Sequence, residues 1–185
     1  LYEFCPLSTV AGLGAIAVMT FMLTGMTPAS ELLGWTLAMS VIQVLRFGLY
    51  AWFRKAFDPA LTDSVLTWER GYAILCLALG TGWAVLTLFF MPPFSVLHQM
   101  LIAFVVVALA LGGYASMASS PLALYSYSGP MLAGLVTALA CSGDWNCVAA
   151  AVLVALWSGV MFRFVQKQYR AELAAFDDVA DAEQV

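Results

Sequence analysis

The sequence predicts an all-α integral membrane protein, a bundle of six transmembrane helices with a cytoplasmic helical extension at its C-terminal end. First, 63% of the 185 residues are hydrophobic and 10% are charged, whereas soluble domains are about half apolar and about a quarter charged. Second, apolar stretches of around twenty residues recur, six in all, each long enough to cross about 30 Å of hydrocarbon. Third, stretches such as residues 100–111 lack the alternation of apolar and polar residues that is typical of the strands of a transmembrane β-barrel.

Short connections, several of which contain proline, separate the six spans. We expect the spans at residues 5–25, 32–53, 71–91, 96–117, 122–140 and 145–165. Pro28, the pair Pro92 and Pro93, and Pro121 fall at connections, where a fixed φ and a missing N–H suit the start of a helix. Pro130 lies well inside the fifth span and predicts a kink there.

The basic residues predict the orientation of the bundle, because Lys and Arg near span ends are retained in the cytoplasm. Six of the seven lie in two places. Arg54, Lys55 and Arg70 lie between spans two and three, and Arg163, Lys167 and Arg170 lie at or after the end of span six. The connections at 26–31, 92–95 and 141–144 contain neither Lys nor Arg. We therefore expect both termini in the cytoplasm.

Small residues are frequent in spans three to five, where they let helix backbones approach closely in lipid. They are Gly80, Gly82, Ala108, Gly112, Gly113, Ala115, Ser116, Ala118, Gly129 and Gly134. The simpler interpretation is tight packing of a small bundle, and the alternative is a cavity lined by the glycines.

The chain beyond residue 165 predicts a continuation of the sixth helix. Hydrophobic residues recur there at steps of three and four, and neither Gly nor Pro interrupts them: Phe162, Val165, Tyr169, Leu173 and Phe176. We divide the chain into a six-helix domain at 1–165 and a cytoplasmic connector helix at 166–185. The spacing resembles the start of a coiled-coil seam, which would make the protein a homodimer. The alternative is an amphipathic end on the membrane surface, which the acidic tail disfavours.

Several classes of function are disfavoured. The sequence contains no nucleophile elbow, zinc-protease motif or phosphate loop, and no pair of carboxylates within the spans. We expect that the chain is not an enzyme and holds no metal or cofactor. The formal charge of −4 disfavours nucleic-acid binding.

The four cysteines lack metal-binding spacing, but Cys141 and Cys147 bracket the last outer connection, and a disulfide is one interpretation of that pair.

Polar and aromatic side chains within the spans are the candidates for a ligand-binding site. Arg46 would either extend toward water or reach Glu69 or a backbone carbonyl inside the bundle. His98 and Gln99 begin span four, where capping or hydrogen bonding is expected. The remaining candidates, which could form an aromatic pocket between spans three, four and five or simply pack, are Trp83, Tyr125 and Tyr127.

Short sequence motifs in the second half of the chain resemble a known family. They are the runs 68–72 (WERGY), 79–84 (LGTGWA), 89–93 (FFMPP), 97–99 (LHQ), 112–113 (GG) and 115–120 (ASMASS), and the exit from the last span through Tyr169 and Arg170. Together they are similar to the N-terminal six-helix sensor region of bacterial membrane-bound signalling proteins, which precedes a histidine kinase module or a GGDEF diguanylate cyclase module. The likeness covers about residues 68–176 and is looser over the first two spans.

The resemblance implies a multi-pass sensory input domain in the bacterial cytoplasmic membrane that acts on a cytoplasmic output module. Because the outer connections are too short for a folded ligand-binding domain, the signal would be a membrane lipid or a small hydrophobic molecule sensed within the bilayer. The alternatives are a small transporter or channel, which needs a polar path across the membrane, and a subunit that only anchors a partner.

Overall fold

The computed structural model describes residues 5–56, 62–92, 95–117 and 120–182, and these residues form α-helices without a β-sheet. The helices are α1 (Cys5–Leu23), α2 (Ala29–Ala56), α3 (Thr62–Phe89), α4 (Val96–Met117), α5 (Pro121–Ala140) and α6 (Trp145–Ala182). All six are long and apolar enough to cross a membrane. The all-helical class and the six predicted helices are therefore confirmed.

Three of the helices are longer than the predicted spans. α2 and α3 have 28 residues each, and α6 has 38, so α6 is about 57 Å long. The continuation of the sixth helix beyond residue 165 is confirmed, and the helix reaches Ala182 without a break. The side chains of Leu173 and Phe176, on which the coiled-coil prediction depends, lie outside the described residues.

Tight connections join the helices at one end of the bundle. Gly25 and Gly143 have φ angles of 85° and 78° there, a conformation that glycine adopts without steric cost. At the second of these turns the Asp144 carboxylate accepts a hydrogen bond of 2.7 Å from the Asn146 backbone N–H and caps α6. The other end carries Arg54 and Lys55 in the last turn of α2 and Arg70 in the third turn of α3, and we call it the basic end.

The pair α3 and α5 forms the most extensive helix contact. Gly80 of α3 lies so close to the carbonyl of Tyr127 on α5 that a Cβ at position 80 would overlap it. Gly134 of α5 meets Ala84 of α3 in the same way. Pro130 lies inside α5 and cannot donate to the carbonyl of Ser126, which also faces Gly80. The small residues of spans three and five therefore serve close packing, as predicted.

The outer surface of the bundle is strongly apolar. Phe21, Phe89 and Phe104 are 83%, 75% and 73% exposed. So many exposed apolar side chains in a soluble monomer would mark an interface. On six helices that are long and apolar enough to cross a membrane, such a surface is also what contact with hydrocarbon requires.

Candidate functional site

A cavity of about 330 Å³ lies between α1, α2, α4 and α5, toward the basic end of the bundle. Its walls are Leu7, Ser8, Ala11 and Gly12 of α1, Gln43 and Arg46 of α2, Ala108, Leu109, Gly112, Gly113, Ala115, Ser116 and Met117 of α4, and Tyr127 of α5. We call it the Arg46 cavity. Its size is at the lower end of the range of about 300 to 1,000 Å³ that small-molecule sites occupy.

Helical spacing brings the two polar side chains of α2 to the cavity together. Gln43 and Arg46 are three residues apart and therefore share one face of α2. Both are only 2% exposed. Gly12 of α1 provides the room for Gln43, because a Cβ at position 12 would overlap its amide group.

Arg46 is the buried cation of the site. Its Nη2 donates to the hydroxyl of Ser8 at 3.1 Å, while its buried Nε has no hydrogen-bond partner. Among the described residues no carboxylate lies within ion-pair distance of it, and Glu69 instead accepts a hydrogen bond of 2.6 Å from Ser120. Arg46 thus turns toward α1 inside the bundle, and it follows neither of two of its three predicted alternatives, extension toward water or contact with Glu69.

The polar groups of the cavity suit an anionic acceptor. A buried guanidinium that lacks a charged partner is costly, and an oxygen anion that receives its open N–H lowers that cost. The Oε1 of Gln43 is also buried without a partner in the described structure, and it can accept a hydrogen bond from a hydroxyl or a water molecule. The remaining walls are mostly aliphatic or glycine.

Tyr127 is the other predicted residue at the cavity. Its ring lies against Gly113, where a Cβ would come within 3.0 Å of Cδ1. The structure thus brings together two of the six predicted ligand-binding residues, Arg46 and Tyr127. Glycines of span four line the cavity beside them, as the alternative interpretation of the small residues proposed.

Trp83 and Tyr125 lie away from the cavity. Trp83 is fully buried and contacts Trp35 edge to face, with ring centroids 5.5 Å apart. Tyr125 donates from its hydroxyl to the carbonyl of Phe162 at 3.4 Å, and the two rings pack with centroids 5.2 Å apart. The aromatic pocket predicted between spans three, four and five is therefore not formed, because Trp83 faces α2 and Tyr125 faces α6.

His98 and Gln99 lie at the opposite end of the bundle. The Nδ1 of His98 is 2.6 Å from the Ser95 hydroxyl, which agrees with the expected capping position. Gln99 is buried, donates to the carbonyl of Pro92 at 2.9 Å, and accepts from the thiol of Cys147 at 2.9 Å. It lines a second, smaller cavity of about 210 Å³ rather than the Arg46 cavity.

The two cysteines that bracket the last connection are free thiols. Cys141 is exposed, whereas Cys147 is buried and directed at Gln99. The disulfide considered for this pair is therefore not formed in the structure. Within the described ranges no group of three His, Cys, Asp or Glu residues is placed to hold a metal ion.

Sequence reasoning did not identify Ser8, Gly12 and the α4 wall as parts of one site with Arg46. The signal that could have found Gln43 is its spacing of three residues from Arg46 within an apolar span. Ser8 gave no comparable signal, because its 38-residue separation from Arg46 leaves their proximity to tertiary packing.

Comparison of the chain with protein-family models, with curated proteins and with solved structures finds no match.

Proposed function

We propose that the chain is the transmembrane sensory input domain of a bacterial signalling protein, located in the cytoplasmic membrane with both termini in the cytoplasm. It would sense a small hydrophobic or membrane-borne molecule and act through α6 on an output module, such as a histidine kinase or a diguanylate cyclase. In this proposal catalysis belongs to the output module, and the input domain works as a homodimer.

The observation that carries the proposal is the contact between the walls of the Arg46 cavity and the long α6. Tyr114 belongs to the α4 segment that lines the cavity, and its ring packs on Trp157 of α6 with centroids 5.8 Å apart. The same ring lies 6.3 Å from Phe162, which also contacts Tyr125 of α5. A shift of α4 or α5 around a ligand would therefore change the packing of α6.

The length of α6 supports its role as the transmitting element. A helix of 38 residues exceeds the roughly 20 residues that a membrane requires, so its C-terminal part would extend beyond the bilayer on the side of the basic end. Arg54, Lys55 and Arg70 lie at that end, and their retention in the cytoplasm orients α6 toward a cytoplasmic partner.

The mechanism requires two packing arrangements of the bundle that differ in their affinity for the ligand. A ligand shifts their populations only by this difference in affinity. Rotation or displacement of α6 would then carry the change to the output module, as helix shifts do in other switches.

The test is to insert residues after Gln166 in a fusion of the chain to a diguanylate cyclase module. Two inserted residues turn the following helix by about 200°, whereas seven restore its phase to within about 20°. We expect two residues to change cyclase output and seven to restore it. Output that is the same for both insertions and for the parent fusion would overturn the proposal.

A further inference from the structure

We propose that the Arg46 cavity binds the headgroup of an anionic amphiphile, a carboxylate or phosphate oxygen group attached to an acyl chain. The inference rests on the proposed function for its role in signalling and deepens it by naming the class of ligand. The binding itself is a property of the cavity and is tested separately.

Charge is the first argument. Arg46 is 2% exposed and donates to the neutral Ser8 hydroxyl, and the described residues provide no counter-ion for this buried positive charge. Ionisable residues within membrane-spanning segments are costly and usually serve a site. An anionic oxygen would both neutralise the charge and accept the open Nε–H of Arg46.

The position of Arg46 along α2 is the second argument. It lies eight residues before Arg54, which is about 12 Å along a helix. An apolar carrier favours the entry of an anion to that depth, because an inorganic ion would lose its hydration on the way with only Arg46 to compensate it. An acyl chain is such a carrier.

The shape of the cavity is the third argument. Its rim lies between α1 and α4, where Leu7 is 70% exposed and Ala11, Gly112 and Ala115 are also exposed. These four residues have no polar side-chain atoms. An acyl chain can therefore leave the cavity sideways between α1 and α4, into the hydrocarbon that surrounds the bundle.

The volume limits the ligand to a headgroup and the first part of one chain. A cavity of about 330 Å³ is small for a site that buries most of a drug-sized molecule. The Oε1 of Gln43 adds a polar acceptor at the same wall, so a headgroup that also carries a hydroxyl is accommodated.

Two sources could supply this chemistry, a free fatty acid or an anionic phospholipid. The test uses the protein in nanodiscs of phosphatidylcholine and a photoreactive dodecanoic acid with a diazirine on its chain. Cross-linked peptides are identified by mass spectrometry. Dodecanoic acid, dodecanol and dodecyltrimethylammonium are then compared as competitors, and phosphatidylglycerol replaces part of the phosphatidylcholine in a parallel series.

We expect cross-links on α1 and α4 that dodecanoic acid suppresses and the neutral and cationic amphiphiles do not. Suppression by phosphatidylglycerol at equal mole fraction identifies the phospholipid as the source, and its failure to compete identifies the free acid. Equal competition by dodecanol, or cross-links spread evenly over the lipid-facing surface, would overturn the proposal.

Two variants examine the residues directly. Arg46→Gln should weaken binding about tenfold or more, the usual consequence of losing a hydrogen bond to a charged group, whereas Arg54→Gln on the same helix should leave it unchanged. Gly112→Leu should also block binding. Gly112 lines the cavity, and a Cβ at this position meets no other atom, so the leucine side chain would occupy space that the ligand needs. Gly14→Leu, on the exposed face of α1 and away from the cavity, is its matched control.

The outcomes separate the inference from the proposed function. If Gly112→Leu and Arg46→Gln bind the acid as the parent does, the ligand assignment fails whatever the cyclase fusion shows. If binding follows the prediction but helix-phase insertions leave cyclase output unchanged, the cavity is a lipid site and the signalling proposal fails.

Discussion

Arg46 of α2 donates a hydrogen bond of 3.1 Å to Ser8 of α1, and this contact places a buried guanidinium at the wall of the Arg46 cavity. The two residues are separated by 38 positions in the chain. Their contact joins α1 to α2 beside a cavity whose other walls are α4 and α5. A buried charge for which the described part of the chain offers no counter-ion thus lies close to the ring contacts that lead to α6.

The first prediction concerns the energetic cost of Arg46. Because a buried charge without a partner is unfavourable, Arg46→Met should leave the thermal unfolding midpoint in detergent unchanged or raise it. Arg54→Met is the matched control, since Arg54 is exposed. A clear fall in the midpoint for Arg46→Met alone would show that the residue stabilises the bundle instead of serving a ligand.

The second prediction concerns the contact between α3 and α5. Gly80→Ala places a methyl group against the backbone carbonyl of Tyr127. Because the overlap is with backbone atoms, rotation of a side chain cannot remove it. We expect a loss of about 1 to 3 kcal/mol in unfolding free energy. Gly34→Ala meets open space and should be neutral or slightly stabilising. Equal stability of the two variants would contradict the close approach of α3 and α5.

Prediction of the helices from sequence succeeded because length and hydropathy are local properties. Residues 96–117 form α4 with the predicted bounds. α2 and α3 were underestimated because their ends, near Arg54 and Arg70, become polar while the backbone hydrogen bonding continues.

Prediction of the site succeeded only in part, because it depends on which helix faces meet. Trp83 and Tyr127 were candidates for one aromatic pocket, with simple packing as the alternative; Trp83 packs on Trp35 of α2, whereas Tyr127 lines the cavity. The periodicity of an evenly apolar helix does not specify which face contacts which neighbour. Arg46 could be selected from its charge, but its partner Ser8 could not.

The third prediction concerns the connection from the cavity walls to α6. Phe162→Ala removes ring contacts with Tyr114 and Tyr125, each worth about 0.5 to 1.5 kcal/mol. We expect ligand binding to be retained and the ligand-dependent change in cyclase output to decrease. Phe164→Ala, at an exposed position on the same helix, is the control. An undiminished response in Phe162→Ala would remove this contact from the proposed mechanism.

The fourth prediction concerns the side of the membrane on which the last turn lies. Cys141 is exposed and Cys147 is buried, so a membrane-impermeant maleimide should modify Cys141 in intact spheroplasts and leave Cys147 unmodified. Cys141→Ser should abolish the labelling. Labelling of Cys141 that appears only after the membrane is disrupted would reverse the proposed orientation.

The central claim, that the state of the Arg46 cavity sets the state of α6, is tested most directly by filling the cavity without any ligand. The measurement is the basal activity of the cyclase fusion that carries Gly112→Leu, compared with Gly14→Leu and the parent. We predict that Gly112→Leu shifts basal output several-fold while Gly14→Leu matches the parent. Identical output from all three fusions at equal expression would contradict the claim.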